Sequence, residues 1–373
     1  MSTTRPILPE IDPADLLEQP IERASTIPAE WSWDPAYHAL DREHIFARQW
    51  HYVGHVSQVP KPGSYLPATV AENPILIVRD LEGELRAFYN VCRHRAGPLA
   101  TEPGCVNRVV QCKYHGWAYT LDGALRGVPH WDRVDLFDKK DFGLLPVALT
   151  VWEGMMFANL DEHPEPFDPV TAGIRERIAP IDLGALTFHS RLSYPIACNW
   201  KVYVDNYLEG YHVPIVHPEL NKVLDYNEYV TETYPRYSLQ YSPFRQDVDT
   251  AMYGPTASEA FYYFIFPNLM LNIIGGRLQT NLVLPVDANH CVVVFDYLYV
   301  NATAPEAQAQ IAADIAYSED VQREDIEVCE QVQVGLRSRA YRTGRFSVQR
   351  EEGVHHFQAW LKGMYRGALA AAH

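Results

Sequence analysis

Two short stretches carry the residue types best suited to redox chemistry. Asn90-Val91-Cys92-Arg93-His94-Arg95-Ala96-Gly97 and Gln111-Cys112-Lys113-Tyr114-His115-Gly116-Trp117 each hold a thiol and an imidazole, in the pattern Cys-x-His, seventeen residues, Cys-x-x-His. Four such ligands suit zinc or an iron–sulfur cluster. Structural zinc sites usually part their first pair by two to four residues, so a single intervening residue speaks against zinc. A 2Fe–2S centre of mixed ligation puts two Cys on one iron and two His on the other, so each stretch gives one ligand to each iron. That reading accounts for the pattern best. Cys105 lies between the stretches, matches no ligand position and reads as a buried or free thiol.

A second group of ionisable residues lies in Asn199–Pro218, NWKVYVDNYLEGYHVPIVHP. If Asn199–His212 is helical, Asp205, Glu209 and His212 recur at i, i+4 and i+7 on one face. Pro214 then disfavours continuing the helix, and His217 returns from a turn. His212 and His217 alone read as two satisfied core histidines. Two acids beside them point further, because an apolar core does not bury so many ionisable groups without a partner. Two imidazoles and one carboxylate on one face of an iron form the facial triad of non-heme Fe(II) oxygenases. The carboxylate must come from elsewhere, and spacing alone leaves Asp320, Asp325 and Glu330 open; an acidic helix facing water is the plain reading of that segment.

The elements that must position these residues differ along the chain. His51–Val59, Ser64–Val70, Pro74–Asp80, Glu84–Val91, Arg108–Gln111, Trp117–Tyr119 and Val147–Val151 are short β-rich runs parted by Pro, Gly and Asn turn signals. His163–Pro169 holds three prolines and reads as a boundary. Beyond it, strands are expected at Ser238–Tyr241, Ala260–Phe266, Leu278–Leu284 and His290–Val300, and helices at Pro305–Tyr317, Ser318–Arg339 and Val354–Ala371. Strands in a block followed by helices in a block suggest an α+β domain with an antiparallel sheet.

The chain has 373 residues, 47% of them apolar and 21% charged, as in a globular protein with full cores. A net charge of −16 and the lack of any basic stretch argue against a nucleic-acid partner. The most apolar run, Phe261–Gly276, is broken by Pro267, Asn268 and Asn272 and is too short to span a bilayer. With no apolar leader in the first thirty residues and six scattered cysteines, a soluble, cytoplasmic protein is expected.

The two Cys/His loops and the Asp205–His217 stretch, in this order, resemble the α subunits of Rieske non-heme iron ring-hydroxylating oxygenases. Tyr262–Asn272, Thr280–Pro285 and Glu352–Phe357 resemble the choline monooxygenase and carnitine oxygenase branch, and the likeness runs from the Trp50 region to Gln331–Arg345. The resemblance implies that Cys92, His94, Cys112 and His115 hold a Rieske 2Fe-2S cluster. It implies that His212, His217 and Asp325 hold a mononuclear Fe(II), with Glu209, where many relatives carry Asp, at the bridging-acid position. Glu209, with Asp205 beside it, would link the iron site to a cluster-ligand His of a neighbouring subunit in a homotrimer. The implied fold is an all-β Rieske domain (45–162) joined to a helix-grip catalytic domain with a central antiparallel sheet (163–373), on which an N-terminal segment (1–44) packs.

The implied activity is that of a terminal oxygenase component. It would use O2 and electrons from NAD(P)H, delivered by a partner reductase or ferredoxin, to hydroxylate or oxidatively demethylate a small aromatic or quaternary ammonium compound. No Gly-x-Gly-x-x-Gly fingerprint marks a nucleotide site of the chain's own; Gly275-Gly276 is not one. The rival from another class is a non-catalytic Rieske electron-transfer protein with a ligand-binding domain, which leaves His212, His217 and Asp325 without work. His355 and His356 are expected to serve packing or the surface.

Overall fold

The structure, a computed structural model, describes residues 8–245 and 258–372. The chain forms two compact units, one of Phe46–Phe167 and one of Met1–Ile45 with Asp168–His373.

The smaller unit is all β. Its strands are β1 (His51–His55), β2 (Ser64–Val70), β3 (Asn73–Arg79), β4 (Leu85–Tyr89), β5 (Gly104–Cys105), β6 (Val109–Gln111), β7 (Ala118–Thr120), β8 (Leu125–Gly127), β9 (Pro146–Trp152) and β10 (Met155–Asn159). Seven form an antiparallel sheet in the order β1-β10-β9-β4-β3-β2-β5, and β6-β7-β8 form a second, three-stranded sheet. The apolar run in β3 serves two cores at once. Ile75 and Ile77 join Val53, Leu66 and Met156 in one cluster, while Leu76 and Val78 join Phe88, Trp117 and Tyr119 in the other. Period-two alternation sends successive side chains to opposite faces, so a strand covered on both sides must be apolar throughout. Cys92 and Cys112 lie in the second cluster.

The larger unit is α+β, as expected. It contains α1 (Pro35–Asp41), α2 (Ile174–Ile178), β11 (Thr187–Ile196), α3 (Trp200–Tyr207), α4 (Val213–Val216), α5 (Pro218–Val223), β12 (Val230–Thr233), β13 (Tyr237–Pro243), β14 (Glu259–Ile265), β15 (Leu269–Ile274), β16 (Arg277–Asp287), β17 (His290–Tyr299), α6 (Gln308–Leu336) and α7 (Glu352–Ala372). One antiparallel sheet runs β11-β17-β16-β15-β14-β13-β12. The two helices expected over Pro305–Arg339 are one helix of 29 residues, because Ser318 points inward to Tyr297 and Gln279 instead of starting a new helix. The N-terminal segment is tied to this unit: Ser25 bridges Arg345, Arg342 pairs with Asp15, and buried Asp41 pairs with Lys201.

The expected helix over Asn199–His212 is shorter. Asn199 caps α3 by accepting the N–H of Lys201, and α3 closes at Tyr207 with Leu208 as its C-cap. Asp205 and Glu209 therefore do not share a helical face. The chain turns through Glu209-Gly210-Tyr211-His212, where a Cβ on Gly210 would stand 2.8 Å from the Tyr229 ring. Pro214 does not end a helix but sits in the first turn of α4, where its missing N–H is harmless, and His217 caps α4.

Candidate metal centres and the catalytic cavity

The two Cys/His loops have the same backbone. In the first, Cys92 N–H donates to Gly97 O at 2.9 Å and Ala96 N–H to Cys92 O at 3.0 Å. In the second, Cys112 N–H donates to Trp117 O at 2.8 Å and Gly116 N–H to Cys112 O at 2.9 Å. The fifth residue of each loop is left-handed, Ala96 at φ 57° and Gly116 at φ 75°. Asn90 fixes the first loop by accepting from Leu99 N and Ala100 N and donating to Ala100 O. The loops bring their ligands together: the His94 and His115 ring centroids stand 4.6 Å apart, and His94 stacks on Trp117 at 4.9 Å.

Cys92 and Cys112 are 3% and 2% exposed. The Cys92 thiol accepts or donates a bond with Tyr119 Oη at 3.3 Å, and burial pushes it above its ordinary pKa. Burial, His115 and Arg95 hold the His94 imidazole below its ordinary value, which favours the neutral form a metal takes. His94 Nδ1 is buried with no hydrogen-bond partner. A nitrogen left bare beside two buried thiols is costly as it stands, and a metal cluster satisfies it. The residues fit a mixed-ligand cluster. Cys105 is an exposed free thiol in β5, outside this group.

In the larger unit, ligand atoms of His212, His217 and Asp325 lie within 4.8 Å of one another, the one such group of three among the described residues. His212 Nδ1 donates to Glu209 Oε1 at 2.7 Å, which fixes the tautomer and turns Nε2 inward. His217 Nδ1 meets Glu324 Oε2 at 2.6 Å in the same manner. Both Nε2 atoms converge on Asp325 Oδ1, at 3.7 Å from His212 and 3.0 Å from His217. Two ligands about 2.1 Å from one ion at right angles stand about 3 Å apart, so the donor set fits a transition metal. His217 is buried; burial lowers its pKa, but Asp325 and Glu324 more than offset this and the net shift is upward.

Of the three acids left open by spacing, Asp325 is the one brought to the two histidines. Asp320 pairs with Arg323 at the surface, and Glu330 Oε1 accepts the Ala197 N–H at 2.9 Å. Asn206 Nδ2 orients Asp325 from α3, donating to Oδ1 at 2.7 Å. Asp205 faces another way: its Oδ2 accepts from Gln358 Nε2 on α7 at 2.9 Å. His355 and His356 bond the backbone carbonyls of Gln19 and Tyr234.

Beside His212, His217 and Asp325 lies a cavity of about 140 Å³, walled by Tyr203, Tyr207, Tyr229, Tyr262 and Phe295 among others. Its polar floor was not legible as a site from sequence. Arg277, Gln279 and Asn281 alternate along β16 on one face, and Asp314, Ser318 and Gln322 recur at four-residue intervals along α6 facing them. The signal was there as polar residues at helix and strand periods where apolar ones belong.

Residues 49–138 match the Rieske [2Fe-2S] domain, and residues 183–367 match the ring hydroxylating alpha subunit (catalytic domain). The chain is 35% identical over 366 residues to the chloroplastic choline monooxygenase of Beta vulgaris, covering 96% of this chain and 80% of that protein. It is 30% identical over 358 residues to the carnitine monooxygenase oxygenase subunit of Escherichia coli (strain K12), covering 92% and 95%. Its structure is similar to the quaternary ammonium Rieske monooxygenase CntA in complex with L-carnitine, with a TM-score of 0.83, 28% identity and coverage of 94% and 99%. The Rhodococcus sp. naphthalene 1,2-dioxygenase shares the fold, at a TM-score of 0.75 and 20% identity. Among the described residues no helix is long and apolar enough to cross a membrane. Two Cys/His loops of one geometry in a Rieske domain, and two imidazoles with a carboxylate in the catalytic domain, belong together in one kind of protein: the chain belongs to the Rieske non-heme iron ring-hydroxylating oxygenase α subunits, terminal oxygenases that carry a 2Fe-2S cluster and a mononuclear iron and draw electrons from a reductase or ferredoxin.

Proposed function

We propose that this oxygenase hydroxylates or oxidatively demethylates a quaternary ammonium compound, with Cys92, His94, Cys112 and His115 holding the cluster and His212, His217 and Asp325 holding the iron. The observation that carries the substrate class is the aromatic wall beside the three iron ligands. Ring faces attract a quaternary ammonium by cation–π interaction, about 0.5–2 kcal/mol per contact, without requiring a counter-charge. The choline and carnitine monooxygenases among its relatives support the same class.

When bound, the cluster supplies single electrons and the iron supplies the site of dioxygen activation. The chain's own part is positional. Glu209 and Glu324 each take an Nδ1–H, so that His212 and His217 present Nε2 to the metal position. Asn206 holds Asp325 toward the same point. Tyr207 and Tyr229 are themselves fixed, by Asn272 and Gln240, so the wall is pre-shaped.

Glu209 is also the residue that passes electrons toward the iron from a cluster-ligand His of a neighbouring subunit in a homotrimer. The support is its bond to His212 and the likeness to CntA, for which inter-subunit electron transfer is described. We place the domain limits at 45–162 and 163–373, with 1–44 on the catalytic domain; the compact unit Phe46–Phe167 reaches five residues further than the first of these limits. A cytoplasmic setting accords with six free thiols.

The test is oxygen consumption with a surrogate reductase, offering choline, L-carnitine and aromatic acids, with oxidised product identified by mass. Turnover of the ammonium compounds supports the assignment, and turnover of aromatic acids alone overturns it. Iron analysis separates the rival reading: an oxygenase carries three irons per chain and an electron-transfer protein two.

A further inference from the structure

We infer, resting on the quaternary ammonium reading, that the substrate carries an uncharged hydroxyl and not a carboxylate beside its cationic head, and that Gln322 is the residue that positions this hydroxyl. The floor of the cavity is polar, with Arg277, Gln279, Asn281, Ser318 and Gln322 among its lining residues. Arg277 is the one Lys or Arg lining it among the described residues. It is not available to a substrate anion: Arg277 Nε donates to Asp314 Oδ2 at 2.6 Å, and another of its nitrogens donates to Gln279 Oε1. Tyr299 Oη donates to the same Asp314 oxygen at 2.6 Å. Both charges are buried, so the pair acts as a fixed neutral unit. A substrate carboxylate would have to part it or lose its water without a counter-charge, and either is costly.

Asp314 Oδ1 is buried without a partner, and the remaining bonds of the floor run through neutral side chains. Ser318 Oγ donates to Gln279 Oε1 at 2.8 Å, Tyr297 Oη donates to Ser318 Oγ at 3.0 Å, and Gln279 Nε2 donates to Asn281 Oδ1 at 2.8 Å. Gln322 breaks the pattern. Its Oε1 accepts from Tyr203 Oη at 2.7 Å, but its Nε2 is buried with no partner, although Gln322 is only 2% exposed and lines the cavity. A buried N–H without an acceptor is unfavourable, and one oxygen suffices to satisfy it. An amide N–H donates to either a hydroxyl or a carboxylate oxygen, but with Arg277 held by Asp314 no free side-chain cation among the described lining residues offsets a carboxylate's charge, so the hydroxyl is the acceptor this cavity favours. Gln322 stands three residues before Asp325 on α6, on the same side of the helix. It therefore holds the oxygen-bearing end near the metal position while Tyr207, Tyr229 and Tyr262 take the ammonium head.

The experiment is anaerobic calorimetric titration of the holoenzyme with choline, with propyltrimethylammonium (choline with CH3 in place of OH) and with γ-butyrobetaine. Wild type should bind choline several-fold to about tenfold tighter than the propyl isostere, the worth of one neutral hydrogen bond, and γ-butyrobetaine more weakly than choline. Gln322→Leu should bring the choline-to-isostere ratio to about one, leaving the isostere's own Kd in place. Gln322→Met, which keeps the length of the side chain, should do the same and serves if the leucine variant does not fold. A side chain with a purely structural role would weaken both ligands alike and leave the ratio unmoved, which overturns the role of Gln322. Binding of γ-butyrobetaine as tight as choline overturns the exclusion of carboxylates while the quaternary ammonium reading stands. Binding of none of the three overturns both.

Discussion

Glu209 and His212 are joined twice: Oε1 of the carboxylate takes the imidazole Nδ1–H at 2.7 Å, and Oε2 takes the His212 backbone N–H at 3.1 Å. One acid thus sets both the turn that delivers the histidine and the tautomer it presents. Outer partners of metal-bound histidines are typically worth 10–100-fold in metal affinity or activity. Glu209→Ala should leave the cluster's visible spectrum unchanged, weaken iron retention about tenfold and slow cluster oxidation in single turnover with substrate and oxygen. Glu209→Asp should retain part of the activity, since the charge stays and the reach shortens. Wild-type cluster oxidation in the alanine variant would reduce Glu209 to a turn-forming acid.

Mixed ligation fixes the expected redox behaviour of the cluster. Two histidine ligands place a 2Fe–2S centre at roughly −150 to +300 mV, against about −400 mV for all-cysteine ligation. His94→Cys or His115→Cys should lower the potential or lose the cluster. An unchanged potential and EPR spectrum in both variants would sink the ligand assignment.

Asp325 differs from its acidic neighbours in what it meets. Asp325→Ala, like His212→Ala and His217→Ala, should empty the mononuclear site and leave two irons per chain. Asp320→Ala removes only an exposed pair with Arg323, worth about 0–1 kcal/mol, and should keep all three irons. The reverse outcome would identify the wrong carboxylate.

What could be read from the sequence follows from how local each feature is. The two Cys/His loops were legible because each Cys and His lie within four residues of one turn. His212 and His217 were legible for the same reason, but the turn that leads into His212 was not. A helical period carried through Glu209 in the sequence, whereas α3 ends at Tyr207 and Gly210 packs against Tyr229. Strand β15 was hidden inside one apolar run, and β11 and β12 gave no clear alternation. The choice of Asp325 needed the resemblance, because three acids on one helix differ only in what faces them. The inward polar face of α6 was missed since its partners, Arg277 and Gln279, lie about forty residues away in β16.

The N-terminal segment is held by a charge pair that should dominate its stability. Lys201 and Asp41 are 0% and 1% exposed, and Asp41 also accepts from Trp200 Nε1 at 2.9 Å and Tyr365 Oη at 2.5 Å. Removing one member of such a buried pair strands the other, at a cost of about 3–5 kcal/mol. Lys201→Met and Asp41→Asn should each lower the unfolding free energy by that measure, read from denaturant titration. The double variant should lose less than the sum of the two. Additive losses in the double variant would show that the two charges are not coupled.

Asp205 gives the pH dependence. Burial raises its carboxyl to about 8 from the ordinary 3.8, with the charges of Glu351 and Glu209 adding to the shift and the bond from Gln358 and the charge of Lys201 opposing it. One of its oxygens is buried without a partner, which is tolerable for a protonated acid and costly for a carboxylate. The folded chain therefore keeps this proton up to about pH 8, while the unfolded chain releases it near the ordinary carboxylate range. Between those two values the folded state binds the extra proton, so unfolding releases it and stability falls as pH rises. Below the lower value both states are protonated and the site contributes no slope. Asp205→Asn removes the titration while keeping an acceptor for Gln358. Its melting temperature should match wild type near pH 4, exceed it increasingly up to about pH 8, and keep a constant lead above that. Parallel melting curves for the two proteins across that range would mean that Asp205 is ionised in the folded state.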